Sequence, residues 1–388
     1  MKQLKGDVLG MLDILIKNGI VVDTLNKTTK NVDIGVKDGK IVDLNLYPDH
    51  QAANTVDAHG CYVTPGIIDF HAHLYTDGTE RGIYPESTYF PSGVTTAVDG
   101  GSAGVANFPL FYNTIIANSK VRMYADLNIC SLGLGTISYQ ENIDPATVNV
   151  NKIKSFFEKY TDCLQAVKVR QSKNISKEFG LEPLKLAKRI AKDIGTYVVV
   201  HVTDSPGEVK DTLDILETGD VFCHVFHGKG KTIIGENGKI LDEVWEAQKR
   251  GILFDAAHGG NQFCNTVALK ALQEGFMPDF ITSDISLKTM YNPPLFSMLH
   301  VMSKFLNFGL SFIDIITITT IQAARKLNID KFVGCLEPGY CADIAIFKIE
   351  DKATYFEDSH GDYFKGDKII QNQMTIREGV TVFRQMGF

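Results

Sequence analysis

His71 and His73 close an apolar run, Ile-Ile-Asp-Phe-His-Ala-His, and in an extended strand the period of two sends both imidazoles to one face. Three further apolar runs end in the same way: His201 after Tyr-Val-Val-Val, His224 after Val-Phe-Cys, and Asp284 after Ile-Thr-Ser. Four imidazoles and a carboxylate at strand ends form a nitrogen and oxygen donor set suited to zinc or a similar divalent metal. A His-x-His pair alone says little in a chain with 10 histidines. Its position after Pro65-Gly66, and the recurrence of His at strand ends, give it weight. The structural alternatives are hydrogen-bonded core histidines, and an Asp284 that caps a helix, a role Ser286 could also fill.

Lys168 sits in Ala-Val-Lys-Val-Arg, where apolar neighbours mark a buried strand. An unpaired ammonium there is costly, so its pKa is expected to fall. A neutral amine beside two metals can add carbon dioxide and become a carbamate whose two oxygens bridge the pair. The plainer alternative is a salt bridge to Asp284 or another carboxylate. Arg170 shares the face of Lys168 nearer the strand's end, and a guanidinium can grip a substrate carboxylate through two parallel hydrogen bonds. Its alternative is an ion pair with a loop carboxylate that orders the rim. His258, in Ala-His-Gly-Gly, is expected either to touch substrate or to serve as a structural residue at a Gly turn, and His227 is a candidate for orienting a ligand.

These residues need a scaffold that gathers strand ends. From Gly66 onward, apolar β-rich runs alternate with helix-period segments such as LEPLKLAKRIAKDIG and GEVKDTLDILETG, the pattern of βαβ units around a parallel sheet. Eight strand candidates (IIDFHAH, TTAVDGG, RMYADLNICS, LQAVKVR, YVVVHV, VFCHVF, ILFDAAH and FITSDI) predict a (β/α)8 barrel over residues 66–333. A doubly wound open sheet is the alternative. Residues 1–65 read as short strands and turns, and strand-like text returns after Gly334, so 1–65 and 334–388 are expected to build one small β-sandwich domain.

With this order of residues the chain resembles the amidohydrolase superfamily, whose members carry a binuclear metal site at the mouth of a distorted TIM barrel beside a small β-sandwich. The resemblance extends from VDAHGCYVTPGIIDFHAH to LEPGYCADIAIF. It implies that His71 and His73 bind one metal, His201 and His224 the other, that Lys168 as carbamate bridges them, and that Asp284 is both ligand and proton shuttle. VDGGSAGVANF, LNICSLGLG, VKVRQS, HVFHGKG and FDAAHGGNQF are similar to a dihydroorotase-like or adenine-deaminase-like branch whose characterised members are deacetylases. Dihydroorotases carry Arg two residues after the second His, where this chain has Tyr75. The expectation is therefore a zinc-dependent hydrolase that removes a small acyl group, such as acetyl, from an ester or amide of a carboxylic acid by attack of a metal-bound hydroxide. A cyclic amidohydrolase, an adenine-type deaminase and a non-catalytic scaffold of the same fold are the rivals.

Composition limits the partners. In 388 residues, 39 basic against 46 acidic side chains give a formal charge of −7 with no Lys/Arg run, which argues against nucleic acid. Seven cysteines without a Cys-x-x-Cys pair fit a reducing compartment. Asp7 and Asp13 interrupt the N-terminal apolar stretch, and Lys304 and Asp314 interrupt Leu295–Ile321, so neither a signal peptide nor a membrane span is expected. A cytoplasmic enzyme of small molecules follows as the expectation, with homo-oligomerisation left open.

Overall fold

The protein is described by a computed structural model covering residues 10–290 and 292–388; Asp7 lies outside them. Seven parallel strands form one sheet: β1 (Ile67–Ala72), β2 (Val94–Asp99), β3 (Arg122–Asn128), β4 (Leu164–Arg170), β5 (Tyr197–His201), β6 (Val221–Cys223) and β7 (Leu253–Asp255). They stand side by side in chain order, as successive βαβ units require. The eighth candidate, FITSDI, is extended but not a regular strand. It bridges β7 in parallel through Asp255 and Phe280, with Ala256 N donating to Phe280 O at 2.9 Å and His258 N to Thr282 O at 3.1 Å. On its other side Asp284 N donates to His71 O at 2.7 Å and His73 N to Ile285 O at 3.0 Å. The segment therefore closes the sheet into a distorted (β/α)8 barrel. Its ladder is broken where the Ser283 N–H goes to the Asp69 carboxylate, at 3.0 Å, instead of to a strand carbonyl.

The helix expected in LEPLKLAKRIAKDIG spans Glu182–Ile194, with Leu184, Ala187, Ile190 and Ala191 buried along one stripe. Pro183 lies in its first turn and Gly195, at φ 73°, ends it in the left-handed conformation that favours glycine. The second helix-period segment forms only Val209–Leu213. It ends early because the Asp220 carboxylate takes the Glu217 N–H at 2.7 Å and the Val198 N–H at 2.9 Å, pinning the returning chain to β5.

The two termini share a sheet. Tyr62–Pro65 pairs antiparallel with Ile344–Phe347, inside a six-stranded sheet that faces a four-stranded sheet built from residues 12–57. Ile14, Ile16, Val36 and Val56 from the smaller sheet pack with Val63, Ile344, Ile346 and Ile376 from the larger, which makes a small sandwich core. The long hairpin of Ile344–Glu357 and Tyr363–Arg377 overhangs the sandwich, and its tip docks on the barrel where Asp358 accepts from Asn265 N at 2.9 Å. All seven cysteines are free. Among the described residues no helix is long and apolar enough to cross a membrane; Leu295–Ile321 contains the helix Met298–Asn307 and most of a second helical stretch that begins at Phe312.

His300, on the helix Met298–Asn307, packs against Phe296 and against Phe356 of the hairpin, and its Nε2 has no partner. Burial, with the nearby Lys304 charge, pushes its pKa down to about 3. Between that value and the unfolded value of about 6.5 only the unfolded chain takes up the proton, so this contribution is complete above pH 6.5 and is lost as pH falls toward 3. Denaturant titrations from pH 7 to pH 5 should show stability falling, and His300→Phe should flatten the slope by up to about 1.4 kcal/mol per pH unit. Equal slopes for the two proteins would remove His300 from the acid response.

Candidate metal centre

The five strand-end residues and Lys168 converge at the mouth of the barrel. His71 and His73, at the end of β1, hold their rings 6.1 Å apart and edge to face. One donor atom each from His71, His73 and Asp284 falls within a single 4.8 Å group. His73 Nε2 lies 3.0 Å from Asp284 Oδ1, and His71 Nε2 lies 4.0 Å from it. The His224 ring is 5.5 Å from that of His71 and 4.4 Å from that of His201. Lys168 is 2% exposed, its Nζ is 3.1 Å from His71 Nε2, and it has no carboxylate within 4.0 Å among the described residues. The salt-bridge alternative for Lys168 is therefore not what the structure contains.

Local sequence explains how the donors fit together. A Cβ on Gly100 would collide with the His71 ring, one on Gly101 with the Lys168 stem, and one on Gly259 with Asp284, so glycine at these places clears the site. His224 and Asp284 hold left-handed backbone at φ 63° and 47°. Such conformations cost on the order of 1–3 kcal/mol and persist where surrounding structure imposes them. The turn at His224 also ends β6 after Cys223 and aims the ring into the mouth.

Protonation favours ligation. Burial, and secondarily the Lys168 charge, lowers the His71 pKa; burial with neighbouring positive groups holds His201 well below its ordinary value, and burial does the same to His224. Burial would raise the Asp284 carboxyl, but its hydrogen bond to His73 and the surrounding imidazoles hold it below the usual carboxylate range. His71 Nδ1 donates to Asp255 Oδ2 at 3.0 Å and His224 Nδ1 donates to Ala257 O at 2.7 Å, which turns the Nε2 lone pair of each ring toward the site, that of His71 facing Lys168 Nζ. His224 Nε2 is buried with no hydrogen-bond partner at all. An orphaned lone pair beside further imidazole nitrogens and a carboxylate fits a divalent cation.

The other candidates divide. Arg170 lines the cavity above the site, a space of ≈ 230 Å³, and its guanidinium is ion-paired with Glu141 at 2.5 Å. His258 is not brought to the cavity wall. It is fully buried, stacked on Phe263, with Nδ1 at Gly259 O and Nε2 2.6 Å from the buried Lys304 ammonium, so both nitrogens are engaged away from substrate space. His227 is buried with neither nitrogen hydrogen-bonded, so it orients no ligand through its ring. Tyr75 belongs to the core, stacked on Phe111 at 4.6 Å. Asp255, Ser102 (2.9 Å from His73 Nδ1), Glu141 and Arg81 are site residues that spacing did not reveal. Asp255 alone carried a readable signal, a carboxylate at the end of the apolar run Ile-Leu-Phe.

A closed parallel barrel with convergent imidazole, carboxylate and lysine groups at its mouth defines the barrel hydrolase class that can work through bound metal. Residues 62–382 match the Amidohydrolase family, and the chain belongs to that family. It is 32% identical over 332 residues to a deacetylase of Brucella anthropi, covering 85% of this chain and 82% of that one. It is 30% identical over 352 residues to a deacetylase of Enterococcus faecalis, covering 90% and 93%. A solved structure described as an adenine deaminase superposes with a TM-score of 0.89 at 30% identity, covering 96% of this chain and 100% of that one.

Asp255 fixes the His71 tautomer, so weakening its charge should weaken the centre. Asp255→Asn is expected to lower zinc affinity by about 10–100-fold in chelator competition. Unchanged affinity would show that His71 is oriented without it.

Proposed function

We propose that this protein is a binuclear metal-dependent deacetylase that removes a small acyl group, typically acetyl, from an ester or amide of a carboxylic acid. The observation that carries this is the convergence of the six donors around the unpartnered His224 Nε2. The deacetylase relatives in Brucella anthropi and Enterococcus faecalis support the reaction class. Zinc suits the mixed nitrogen and oxygen donors. The free cysteines fit a reducing, cytoplasmic setting.

In this proposal His71, His73 and Asp284 hold one ion, His201 and His224 hold the other, and Lys168 serves both. Divalent ions at such a site make water acidic near neutral pH and polarise an acyl carbonyl. Lys168 Nζ would add carbon dioxide, releasing its protons to solvent, to become a carbamate with two oxygens to share. Its burial without a carboxylate partner among the described residues supports this, because the bare ammonium would stand uncompensated. Asp284 lines the cavity, where its carboxylate can hold the proton of the attacking water and pass it to the leaving atom. The water oxygen joins the acyl carbon, the acyl C–O or C–N bond breaks, and the leaving oxygen or nitrogen receives the proton. The cavity of ≈ 230 Å³ suits a small acid.

The test is hydrolysis by the metal-loaded protein of O-acetyl 2-hydroxy acids and N-acetyl amino acids of both hands, alongside dihydroorotate and adenine. Acetate release is expected, and turnover confined to the last two compounds would overturn the proposal. Lys168→Ala should lose most bound metal, and retention of two equivalents would reject the carbamate. Asp284→Asn should turn over at least about a hundredfold more slowly, because an amide cannot accept the proton; near-normal turnover would take Asp284 out of proton transfer.

A further inference from the structure

Two cations line the cavity without any role in the proposed bond cleavage. Arg81 is half-buried in the loop after β1, and Lys288 is exposed four residues past Asp284. Neither has a carboxylate within 4.0 Å among the described residues. Arg170 lines the same cavity, but its charge is already matched by Glu141, which is only 8% exposed. Drawing Arg170 toward a substrate would strand a buried carboxylate, a costly exchange. The unspent positive charge of the cavity therefore resides on Arg81 and Lys288.

Their two loops are built as one wall. Leu287 N donates to Arg81 O at 2.8 Å, which sets the residue before Lys288 against Arg81. The Arg81 turn is fixed on its other sides as well. Thr79 Oγ1 accepts from Arg81 N at 3.3 Å and Gly82 N at 3.1 Å, and Ile83 N donates to His73 O at 3.0 Å. Gly82 packs so closely on the Tyr75 backbone that a Cβ would overlap it. A guanidinium can close on a planar anion through two parallel hydrogen bonds, and an ammonium on the neighbouring loop adds charge without a geometric demand.

We propose that Arg81 and Lys288 form the clamp that reads the substrate's carboxylate, and that the Arg170–Glu141 pair positions the opposite rim without reading charge. This rests on the deacetylase proposal only in assuming that the acylated acid enters this cavity. The substrate class it selects is an acyl derivative of an acid that keeps a free carboxylate beyond the scissile bond.

The test compares acetate release from 2-acetoxypropanoate with that from its methyl ester by the metal-loaded full chain. Arg81→Met should lower the kcat/KM ratio of charged to neutral compound by at least about tenfold, mainly through KM, and Lys288→Met by about threefold, since its ammonium is solvated and screened. Arg81→Lys should recover part of the ratio, and Arg170→Met should lower both compounds together. An unchanged ratio in Arg81→Met, or a selective loss in Arg170→Met, overturns the clamp. If the wild-type protein releases acetate from neither compound, the deacetylase proposal fails for these substrates and calorimetric binding of lactate judges the clamp separately. Lactate binding that Arg81→Met weakens supports it. Absent or Arg81-independent lactate binding overturns it.

Discussion

The carboxylate of Asp255 accepts hydrogen bonds from His71 Nδ1 at 3.0 Å, Ala257 N at 3.0 Å and Thr282 Oγ1 at 2.6 Å. Those three donors come from β1, from the chain leaving β7 and from the irregular eighth segment. One fully buried side chain thus joins the two edges of the sheet and also decides which His71 nitrogen carries the proton. Asp69 repeats the device on the same segment, accepting from Ser283 N and from Tyr89 Oη at 3.1 Å. Asp99 accepts from Leu74 N at 2.8 Å and Ser102 N at 2.6 Å, and Ser102 in turn meets His73. A buried carboxylate is tolerated only when donors surround it, so these aspartates order the loops that supply the donors. Barrel closure and ligand orientation are consequences of the same hydrogen bonds.

The price in backbone conformation is local. His224 and Asp284 occupy left-handed backbone, and each is a residue whose side chain must leave the regular inward direction of a strand to reach the mouth. Gly100, Gly101 and Gly259 make the complementary adjustment by removing side-chain volume from the space that His71, Lys168 and Asp284 fill. Regular strand geometry alone would place alternate residues in the barrel interior. The departures from it at β1, where pairing with β2 shifts between Asp69 and Ala72, and after β6 bring six donors from four strands and the closing segment to the barrel mouth.

The imidazoles and Asp284 were legible in the sequence because each sits at the end of a strand-like run, where strand periodicity and barrel topology together give its direction. Lys168 stood out because a lysine inside a buried strand conflicts with its surroundings. The eighth strand was legible as an element but not as an irregular one, since its broken ladder depends on the distant Asp69. Asp255, Ser102 and Glu141 act through partners between 29 and 184 residues away, and no spacing motif records such pairings. For His258 the Gly turn allowed two environments, and the buried Lys304 on a helix 46 residues downstream decided between them. The loop carrying Arg81 offered no periodicity to read; its hydrogen bonds to the segments at His73 and Leu287 give it a place.

In the proposed centre the six residues hold two divalent ions bridged through a carboxylated Lys168. Crystals of the protein grown with zinc and bicarbonate, measured on both sides of the zinc absorption edge, test it directly. Two anomalous peaks are expected, one ligated by His71 and His73 and the other by His201 and His224, with carboxylate density continuing from Lys168 Nζ between them. A single peak, or two ions beside an unmodified Lys168 still hydrogen-bonded to His71 Nε2, would contradict it.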